Sequence, residues 1–331
     1  MILVTGGTGL VGANLLLHLI EDGASVRAIY RNEETIKNTK SLFSLYNKEI
    51  LFEKINWINA DITDVPSLEI AFENVKYVFH CAGLISFDPK DEDLLRKINI
   101  EGTANIVNFC ISNSIKKLCF VSSTSALGDL KESEKIITEE TEWNPEKPHT
   151  DYAISKYGAE MEVWRGQQEG LDVIIVNPGV ILGPTIWQEG SGKIFTKVKN
   201  GLSFYTKGSA GFITVTDVAK IMIQLMNSNI SNERFTLVAE NIIYRDLFNS
   251  IADALKVKRP TIYASPMLMN FLWKIDWLMT TIFGQKRKLS RATANASYSK
   301  NLISNSKIIN ALGINFLDIN QNIKEIAKFE V

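Results

Sequence analysis

Short apolar runs alternate with longer segments of helical periodicity through the first part of the chain. The apolar runs have the length of strands, and their continuity predicts strands covered on both faces, as in a parallel sheet flanked by helices. They occupy residues 2–4, 26–29, 55–58, 77–81, 118–121 and 173–176. Because crossovers between parallel strands are right-handed, this order predicts an α/β fold with a doubly wound parallel sheet.

A late strand completes the predicted sheet from a distant part of the sequence. Residues 234–238 form another apolar run, and residues 215–226 before it read as an amphipathic helix, for which we expect Thr216 to be the N-cap. The sheet domain therefore comprises residues 1–177 and 212–239. The turn-rich remainder, 178–211 and 240–331, predicts a smaller mixed α/β lobe over the carboxyl ends of the strands, where such folds bind ligands.

Composition excludes several classes of function. The chain has 331 residues and a net charge of −1, which gives no overall field to attract nucleic acid. Three cysteines (Cys81, Cys110 and Cys119) lie in apolar runs without metal-ligand spacing. They predict reduced thiols and no metal site. No leader pattern precedes the first strand, so we expect a cytoplasmic protein.

A second apolar segment, residues 266–283, lies in the predicted small lobe. Lys274 and Asp276 near its centre argue against a membrane span, since each would cost about 2.5–3.5 kcal/mol there. We expect a core helix that could also line an apolar pocket. Contact with a membrane surface, through the apolar face and the basic run at 286–288, is the less favoured interpretation.

The clearest chemical motif is a glycine-rich turn between the first strand and the first helix. Gly6 permits a tight turn, Gly9 lets the backbone approach a pyrophosphate, and Gly12 lets the helix pack against the strand. Free N–H groups at the helix N-terminus favour the anion. The predicted phosphate-binding set is Gly6, Thr8, Gly9, Leu10, Val11 and Gly12.

The G-x-x-G-x-x-G spacing resembles that of the extended short-chain dehydrogenase/reductases, a branch with a Rossmann-type fold. The resemblance implies further contacts with a nicotinamide dinucleotide. Asp61 and Ile62 resemble the pair that contacts adenine. The stretches Cys81-Ala82-Gly83 and Pro178-Gly179-Val180 resemble those beside the ribose and the nicotinamide. We expect His80, just before Cys81, to support its strand.

The residue after the second strand indicates which dinucleotide is bound. NAD-binding proteins usually place a carboxylate there against the ribose hydroxyls, whereas this chain has Arg31. A guanidinium can grip a 2′-phosphate through charge-assisted bonds. We therefore expect NADP as the cofactor, with NAD as the less favoured choice.

The catalytic motif is Y-x-x-S-K, with Tyr152 and Lys156 four residues apart on one helix face. A phenol has a pKa of about 10, and we expect the Lys156 ammonium to lower it towards the working range. Lys156 would also hold the nicotinamide ribose. Ser123 resembles the serine that binds the reacting oxygen in this family, although a serine here could simply cap the next helix. Asn99 resembles the family's asparagine near the site, where a structural role and a catalytic one are equally expected.

The resemblance extends most closely to the dihydroflavonol reductase-like and hydroxysteroid dehydrogenase-like group. Thr124-Ser125 stand where sugar-nucleotide dehydratases carry an Asp-Glu pair, and Ser209-Ala210-Gly211 where many epimerases carry an arginine. The motifs therefore imply an NADP(H)-dependent oxidoreductase for the carbonyl group of a small apolar substrate. A nucleotide-sugar epimerase with tightly held NAD and an NADP-binding sensor without turnover are the alternatives. We also expect a homodimer, formed through residues 94–112 and 152–168, and no contact with nucleic acid or membrane.

Overall fold

The computed structural model describes residues 1–184, 187, 190–283 and 297–329. Within these residues seven strands form one parallel sheet, and the other seven form three smaller sheets. The strands are β1 (Ile2–Thr5), β2 (Val26–Tyr30), β3 (Asn56–Asn59), β4 (Tyr77–His80), β5 (Lys117–Val121), β6 (Ile136–Ile137), β7 (Val173–Pro178), β8 (Val180–Leu182), β9 (Phe204–Tyr205), β10 (Ser209–Thr214), β11 (Glu233–Leu237), β12 (Glu240–Ile243), β13 (Ile262–Tyr263) and β14 (Leu302–Ile303).

Helices cover both faces of this sheet and build most of the rest of the molecule. They are α1 (Leu10–Glu21), α2 (Ile36–Leu45), α3 (Glu49–Phe52), α4 (Val65–Phe72), α5 (Glu92–Leu95), α6 (Gly102–Ser112), α7 (Asp151–Gln168), α8 (Gly192–Lys199), α9 (Val215–Asn227), α10 (Tyr244–Ala254), α11 (Pro266–Phe283), α12 (Ser306–Leu312) and α13 (Ile319–Phe329). A π-helical turn, Arg96–Glu101, joins α5 to α6. Single 3₁₀ turns occupy Glu33–Thr35, Pro89–Asp91 and Thr124–Ala126.

The large sheet has the strand order β11-β7-β5-β4-β1-β2-β3. The chain builds outward from β1 to β3, returns to β4 beside β1, and then builds outward in the opposite direction. Ligands of doubly wound folds bind at this reversal, outside the carboxyl ends of the strands. The fold therefore confirms the Rossmann-type sheet, including the late strand β11, which pairs in parallel with β7.

Two apolar cores cover the faces of the large sheet. One face packs against α1 and α9, with Leu16 and Met222 fully buried. The other packs against α4, α6 and α7, with Phe72, Ile106 and Val163 fully buried. Since both faces are covered, the strands carry apolar residues in succession rather than in alternation.

Helix α9 begins differently from the sequence expectation. The N-cap is Thr214, whose hydroxyl accepts a hydrogen bond of 3.0 Å from the Asp217 backbone N–H. The expected cap, Thr216, lies inside the first turn. The helix starts earlier because β10 ends at Thr214, which places a hydroxyl at the cap with extended backbone geometry.

The predicted small lobe has its own core and sheet. Strands β12, β10 and β8 form a three-stranded sheet, and Phe195, Phe212 and Ile323 are buried beside it. Strand β10 runs from Ser209 to Thr214 and so crosses the expected domain boundary at residue 212. The division into two lobes stays a prediction.

Helix α11 is not the core helix that its composition predicts. Met267 is 83 % exposed, Phe271 61 % and Ile275 41 %, at a spacing of four residues that places them on one face. The solvent-exposed face thus carries large apolar groups. In the described part of the chain, every helix falls short of the length and apolar character that a membrane crossing requires.

Candidate active site

The glycine turn depends on two of its three glycines for its shape. Gly6 has a φ of +68°, and a Cβ there would lie 2.6 Å from the Ala82 nitrogen, so this position needs glycine for the turn and for the close approach. A Cβ on Gly12 would lie 2.2 Å from the Gly6 carbonyl oxygen, which explains how α1 packs so close to the turn. The role predicted for Gly6 is confirmed, whereas Gly12 is needed for the contact of α1 with the turn rather than with the strand.

Gly9 differs from the other two glycines. A Cβ there would have only the Gly6 carbonyl oxygen within 4 Å, at 3.4 Å, and its φ of −92° is open to any residue. The fold itself thus tolerates a side chain at this position. Gly9 is the N-cap of α1 and has no side chain to cap the free N–H groups of Leu10, Val11 and Gly12. These groups, with Thr8 beside them, form a cradle that fits a pyrophosphate.

Arg31 and Asp61 lie together at the carboxyl ends of β2 and β3. The Arg31 guanidinium is 63 % exposed, and its Nη1 lies 3.9 Å from Asp61 Oδ2. Asp61 Oδ1 accepts hydrogen bonds from the Thr63 N–H and hydroxyl, at 2.8 and 2.9 Å. One Asp61 oxygen therefore stabilises the turn. The other faces the Arg31 guanidinium at a long distance, so the exposed guanidinium is accessible to a phosphate group.

Ile62 offers little surface to an adenine ring. Its side chain is 5 % exposed and packs against Gly102 at the start of α6. The Ile62 carbonyl accepts a 2.9 Å hydrogen bond from Asn105 Nδ2. Asn105, which belongs to none of the motifs, thus anchors the turn that carries Asp61.

The segment after β4 passes directly beside Lys156 and Asn99. A Cβ on Gly83 would lie 3.2 Å from Lys156 Nζ and 3.3 Å from Asn99 Oδ1. The N–H of Ala82 donates to Thr5 Oγ1 at 3.1 Å, and burial raises the pKa of the Cys81 thiol to about 12. The Cys81 thiol is therefore unreactive near neutral pH, and the small size of Gly83 leaves room for the Lys156 amine.

His80 supports its strand, as expected. Its ring nitrogens lie 2.7 Å from Thr5 Oγ1 and 3.0 Å from Thr103 Oγ1, and the ring stacks on Phe120. Complete burial, reinforced by the Lys156 charge, lowers the His80 pKa to about 3. The ring is neutral at physiological pH and links β1, β4 and α6.

Tyr152, Lys156 and Ser123 converge on one side of the sheet. Helix α7 is capped by Thr150, whose hydroxyl accepts from the Ala153 N–H at 3.1 Å, and this places Tyr152 in the first turn. The Ser123 hydroxyl lies near the Tyr152 phenol and opposes the effect of burial on the phenol's pKa. Ser123 Oγ accepts from the Ser125 N–H at 3.1 Å, so the capping role considered for this serine is confirmed. Its role towards a reacting oxygen stays a prediction.

The electrostatics of the phenol differ from the sequence expectation. Burial raises the Tyr152 pKa above its ordinary value, and the group that opposes this shift is the Ser123 hydroxyl rather than the Lys156 ammonium. The expected lowering by Lys156 is therefore wrong for this structure. The reason is geometric, since Lys156 Nζ donates to the Val121 carbonyl at 2.9 Å and lies 5.1 Å above the Phe120 ring.

Lys156 itself has a pKa in the physiological range. Burial lowers the pKa of its amine to about 8, and the nearby Glu160 and Cys81 oppose that shift. Its charge is consequently sensitive to small changes in its surroundings near pH 8.

Asn99 occupies the π-helical turn between α5 and α6 and is 2 % exposed. Its Oδ1 accepts from the Leu84 N–H at 2.7 Å, and its Nδ2 donates to the Leu84 carbonyl at 3.0 Å and to Ser155 Oγ at 2.8 Å. Ser155 in turn donates to the Tyr152 carbonyl at 2.8 Å. Of the two roles expected for Asn99, the structural one is visible, because its amide joins the Leu84 segment to α7.

Comparison with known proteins identifies the family. The model of the family described as "NAD dependent epimerase/dehydratase family" matches residues 2–237, which are more than two thirds of the chain. The chain belongs to this epimerase/dehydratase family. A provisionally named dihydroflavonol 4-reductase of Synechocystis sp. is 33 % identical over 219 residues, which are 65 % of this chain and 60 % of that protein.

Two further similarities support the assignment. Sterol demethylase protein B of Methylococcus capsulatus is 26 % identical over 270 residues, which are 81 % of this chain and 78 % of that protein. The crystal structure of yeast methylglyoxal/isovaleraldehyde reductase Gre2 complexed with NADPH has a TM-score of 0.75 at 20 % identity, covering 99 % of this chain and 98 % of that one. The fold of this epimerase/dehydratase family member is thus that of enzymes that bind nicotinamide dinucleotides.

The last expected segment, Pro178-Gly179-Val180, joins β7 to β8 at the carboxyl edge of the sheet. A Cβ on Gly179 would lie 2.3 Å from the Gly211 carbonyl oxygen. The main chain of this epimerase/dehydratase family member is therefore held between strands of both sheets, and its contact with a nicotinamide ring stays a prediction.

Several residues beside the site lie outside the motifs used to predict it. The Phe87 ring meets the Tyr152 ring edge-on, with centroids 5.6 Å apart, and Glu160, Asn177 and Arg234 form a polar cluster behind Lys156 and Ser123. A lone phenylalanine in a loop has no spacing that marks it. Glu160 follows Tyr152 and Lys156 at four-residue intervals, and this spacing could have revealed it.

Proposed function

We propose that this protein is an NADP(H)-dependent oxidoreductase that reduces a ketone or aldehyde, or oxidises the corresponding alcohol. The convergence of the Tyr152 and Ser123 hydroxyls with the Lys156 amine, outside the carboxyl ends of the central strands, is the observation that carries the proposal. Such a set can bind a carbonyl oxygen and give it a proton.

The residues present fit the dinucleotide. The open side of Gly9 and the N–H groups of Leu10 to Gly12 suit the pyrophosphate, and the exposed Arg31 guanidinium suits a 2′-phosphate. Lys156, beside Gly83, would hold the nicotinamide ribose, with Pro178-Gly179-Val180 against the ring. The bound cofactor supplies or accepts the hydride.

The protein's own part in the reaction is proton transfer. Because the raised pKa keeps Tyr152 protonated near neutral pH, its hydroxyl can donate to the substrate oxygen as negative charge develops there. The Ser123 hydroxyl supplies a second hydrogen bond to that oxygen. Loss of one such donor typically costs about 2.7–4 kcal/mol in the barrier.

The surroundings of the phenol favour an apolar substrate. Phe87 is 48 % exposed and Ile85 58 %, and both belong to the loop that reaches over Tyr152. Exposed apolar side chains beside a buried donor would bind a hydrophobic body next to a carbonyl group. The names of two relatives, a dihydroflavonol reductase and a sterol demethylase protein, fit ketones of this kind.

The experiment is NADPH oxidation, followed by fluorescence, with a panel of aromatic and alicyclic ketones and aldehydes. We expect turnover by the parent and a loss of at least a hundredfold in Tyr152→Phe, which keeps the ring but cannot donate a proton. The matched control is Tyr157→Phe on the same helix. Tight NADPH binding without turnover in the parent would favour the sensor, and retained NAD(H) in the purified protein would favour the epimerase.

The choice of cofactor is tested separately with Arg31→Ala. Its dissociation constant for NADPH should rise about tenfold or more, with little change for NADH, since a lost charge-assisted bond is worth about 1.5–3 kcal/mol. Equal weakening of both would contradict recognition of the 2′-phosphate.

A further inference from the structure

A buried polar cluster lies directly behind the catalytic groups. Glu160 is fully buried on α7, one turn after Lys156, and its Oε1 accepts a hydrogen bond of 2.5 Å from Asn177 Nδ2. Its Oε2 lies 3.3 Å from Arg234 Nη1 on β11. A buried carboxylate survives only with such partners, because desolvation raises the pKa of Glu160 while the amide and the guanidinium oppose that shift.

The cluster reaches Ser123 through Asn177. The same Asn177 Nδ2 that donates to Glu160 also donates to the Ser123 carbonyl at 3.0 Å. Glu160 therefore fixes the amide that holds the Ser123 main chain. Because the Ser123 hydroxyl lies near the Tyr152 phenol, this hold on the Ser123 main chain sets the position of a proposed donor to the substrate oxygen.

The cluster also reaches Lys156. The titratable groups described around the Lys156 amine are Glu160, Cys81 and His80. The pKa of Cys81 is about 12 and that of His80 about 3, so both are uncharged near neutral pH. Arg234 faces Glu160 and is anchored by the Glu139 carbonyl at 2.9 Å. Among these described groups, Glu160 is the anion that stabilises the ammonium.

We infer that Glu160 is a positioning residue of the active site, which fixes Ser123 through Asn177 and keeps Lys156 charged at the pH of catalysis. The inference rests on the proposed function, because it concerns residues assigned there to proton transfer and cofactor binding.

The test compares Glu160→Gln with Glu139→Gln. The first keeps the size of the side chain and an oxygen for Asn177 but removes the charge. The second removes an equally buried carboxylate, which accepts from the Thr236 N–H at 2.7 Å and is not among the groups that act on Lys156. Two quantities are measured from pH 6 to 9.5: kcat for carbonyl reduction and the dissociation constant for NADPH.

In Glu160→Gln we expect the alkaline limb of both profiles to shift to lower pH by about one unit, because the loss of a nearby negative charge lowers the pKa of the Lys156 amine. With the Lys156 pKa falling from about 8 to near 7, the charged fraction at pH 8 falls about fivefold, while values at pH 6 stay close to the parent's. Glu139→Gln should keep the parent's profile. A merely structural Glu160 would lower activity equally at every pH.

If thermal unfolding shows that Glu160→Gln is not folded, Arg234→Gln takes its place. Without the guanidinium the buried Glu160 takes up a proton, so the limb should move in the same direction. Parent-like profiles in the folded variant would overturn the inference and leave the proposed function standing. A parent that binds NADPH but reduces none of the carbonyl compounds would instead overturn the proposed function.

Discussion

Replacing Gly9 by alanine separates the fold's need for glycine from the cofactor's. A methyl group at this position would have the Gly6 carbonyl oxygen as its nearest neighbour, at 3.4 Å, which is ordinary van der Waals contact. At Gly12 the same group would lie 2.2 Å from that oxygen. The two substitutions are chemically identical and lie within one turn of α1.

The expected magnitudes differ accordingly. Gly9→Ala costs stability only through the weaker cap, roughly 0.5–1 kcal/mol. Gly12→Ala forces the backbone apart, for which overpacking gives about 1–3 kcal/mol. For a chain of this size, each kcal/mol of lost unfolding free energy lowers Tm by at most about 2–4 °C. A methyl group facing the pyrophosphate should raise the NADPH dissociation constant at least tenfold, about 1.4 kcal/mol.

The assay is thermal unfolding without ligand, followed by titration with NADPH monitored by its fluorescence. Gly9→Ala should unfold within a few degrees of the parent but bind NADPH poorly, and Gly12→Ala should unfold at a clearly lower temperature. The control is Gly23→Ala or Gly170→Ala, positions outside the turn at positive φ, which lower Tm without changing affinity. Gly9→Ala that binds NADPH as tightly as the parent would refute the placement of the phosphates.

Three further predictions concern the supporting structure. Below pH 6.5 the unfolded chain protonates His80 while the folded protein, in which the His80 pKa is about 3, does not, so the unfolding free energy falls by up to about 1.4 kcal/mol per pH unit. His80→Gln should make this fall less steep, and equal slopes of parent and variant in acid denaturation would contradict the reasoning. Thr214→Ala should cost about 1 kcal/mol by removing the α9 cap, whereas Thr216→Ala should cost less than half of that in urea unfolding. Asn99→Ala should lower Tm by several degrees and make the Leu84 N–H exchange faster, as followed by hydrogen exchange; protection equal to the parent's would show that the amide is dispensable.

The sequence was sufficient for the large sheet and for selecting Tyr152, Lys156 and Ser123, which the fold brings together. Each of those depends on local spacing: apolar runs of strand length, three glycines in a turn, and a tyrosine and a lysine one helical turn apart. The cap of α9 was misplaced by two residues, because the end of β10 is set by pairing with β8 and β12, which no local pattern reports.

The features that the sequence did not predict depend on burial and on contacts between distant segments. Helix α11 has the composition of a core helix, but the described side chains Met267, Phe271 and Ile275 on its apolar face are exposed. Composition alone does not distinguish a buried apolar helix from one with an exposed apolar face. The pKa of Tyr152 could not be inferred from a lysine at the right spacing, since the amine is directed to the Val121 carbonyl. Glu160 and Arg234 are 74 residues apart in sequence and meet only because β11 lies beside β7.

The π-helical turn at Arg96–Glu101 has a consequence for the loop over the active site. A π turn holds one more residue than an α turn, so the helix before it is rotated by roughly 100° relative to an unbroken α-helix. Deleting one residue here would let hydrogen bonding continue as in an ordinary helix, yet it would swing α5 and the Ile85–Phe87 side of the site around the helix axis. The orientation of α5 relative to α6 thus depends on a single inserted residue, which sequence divergence could gain or lose in one step.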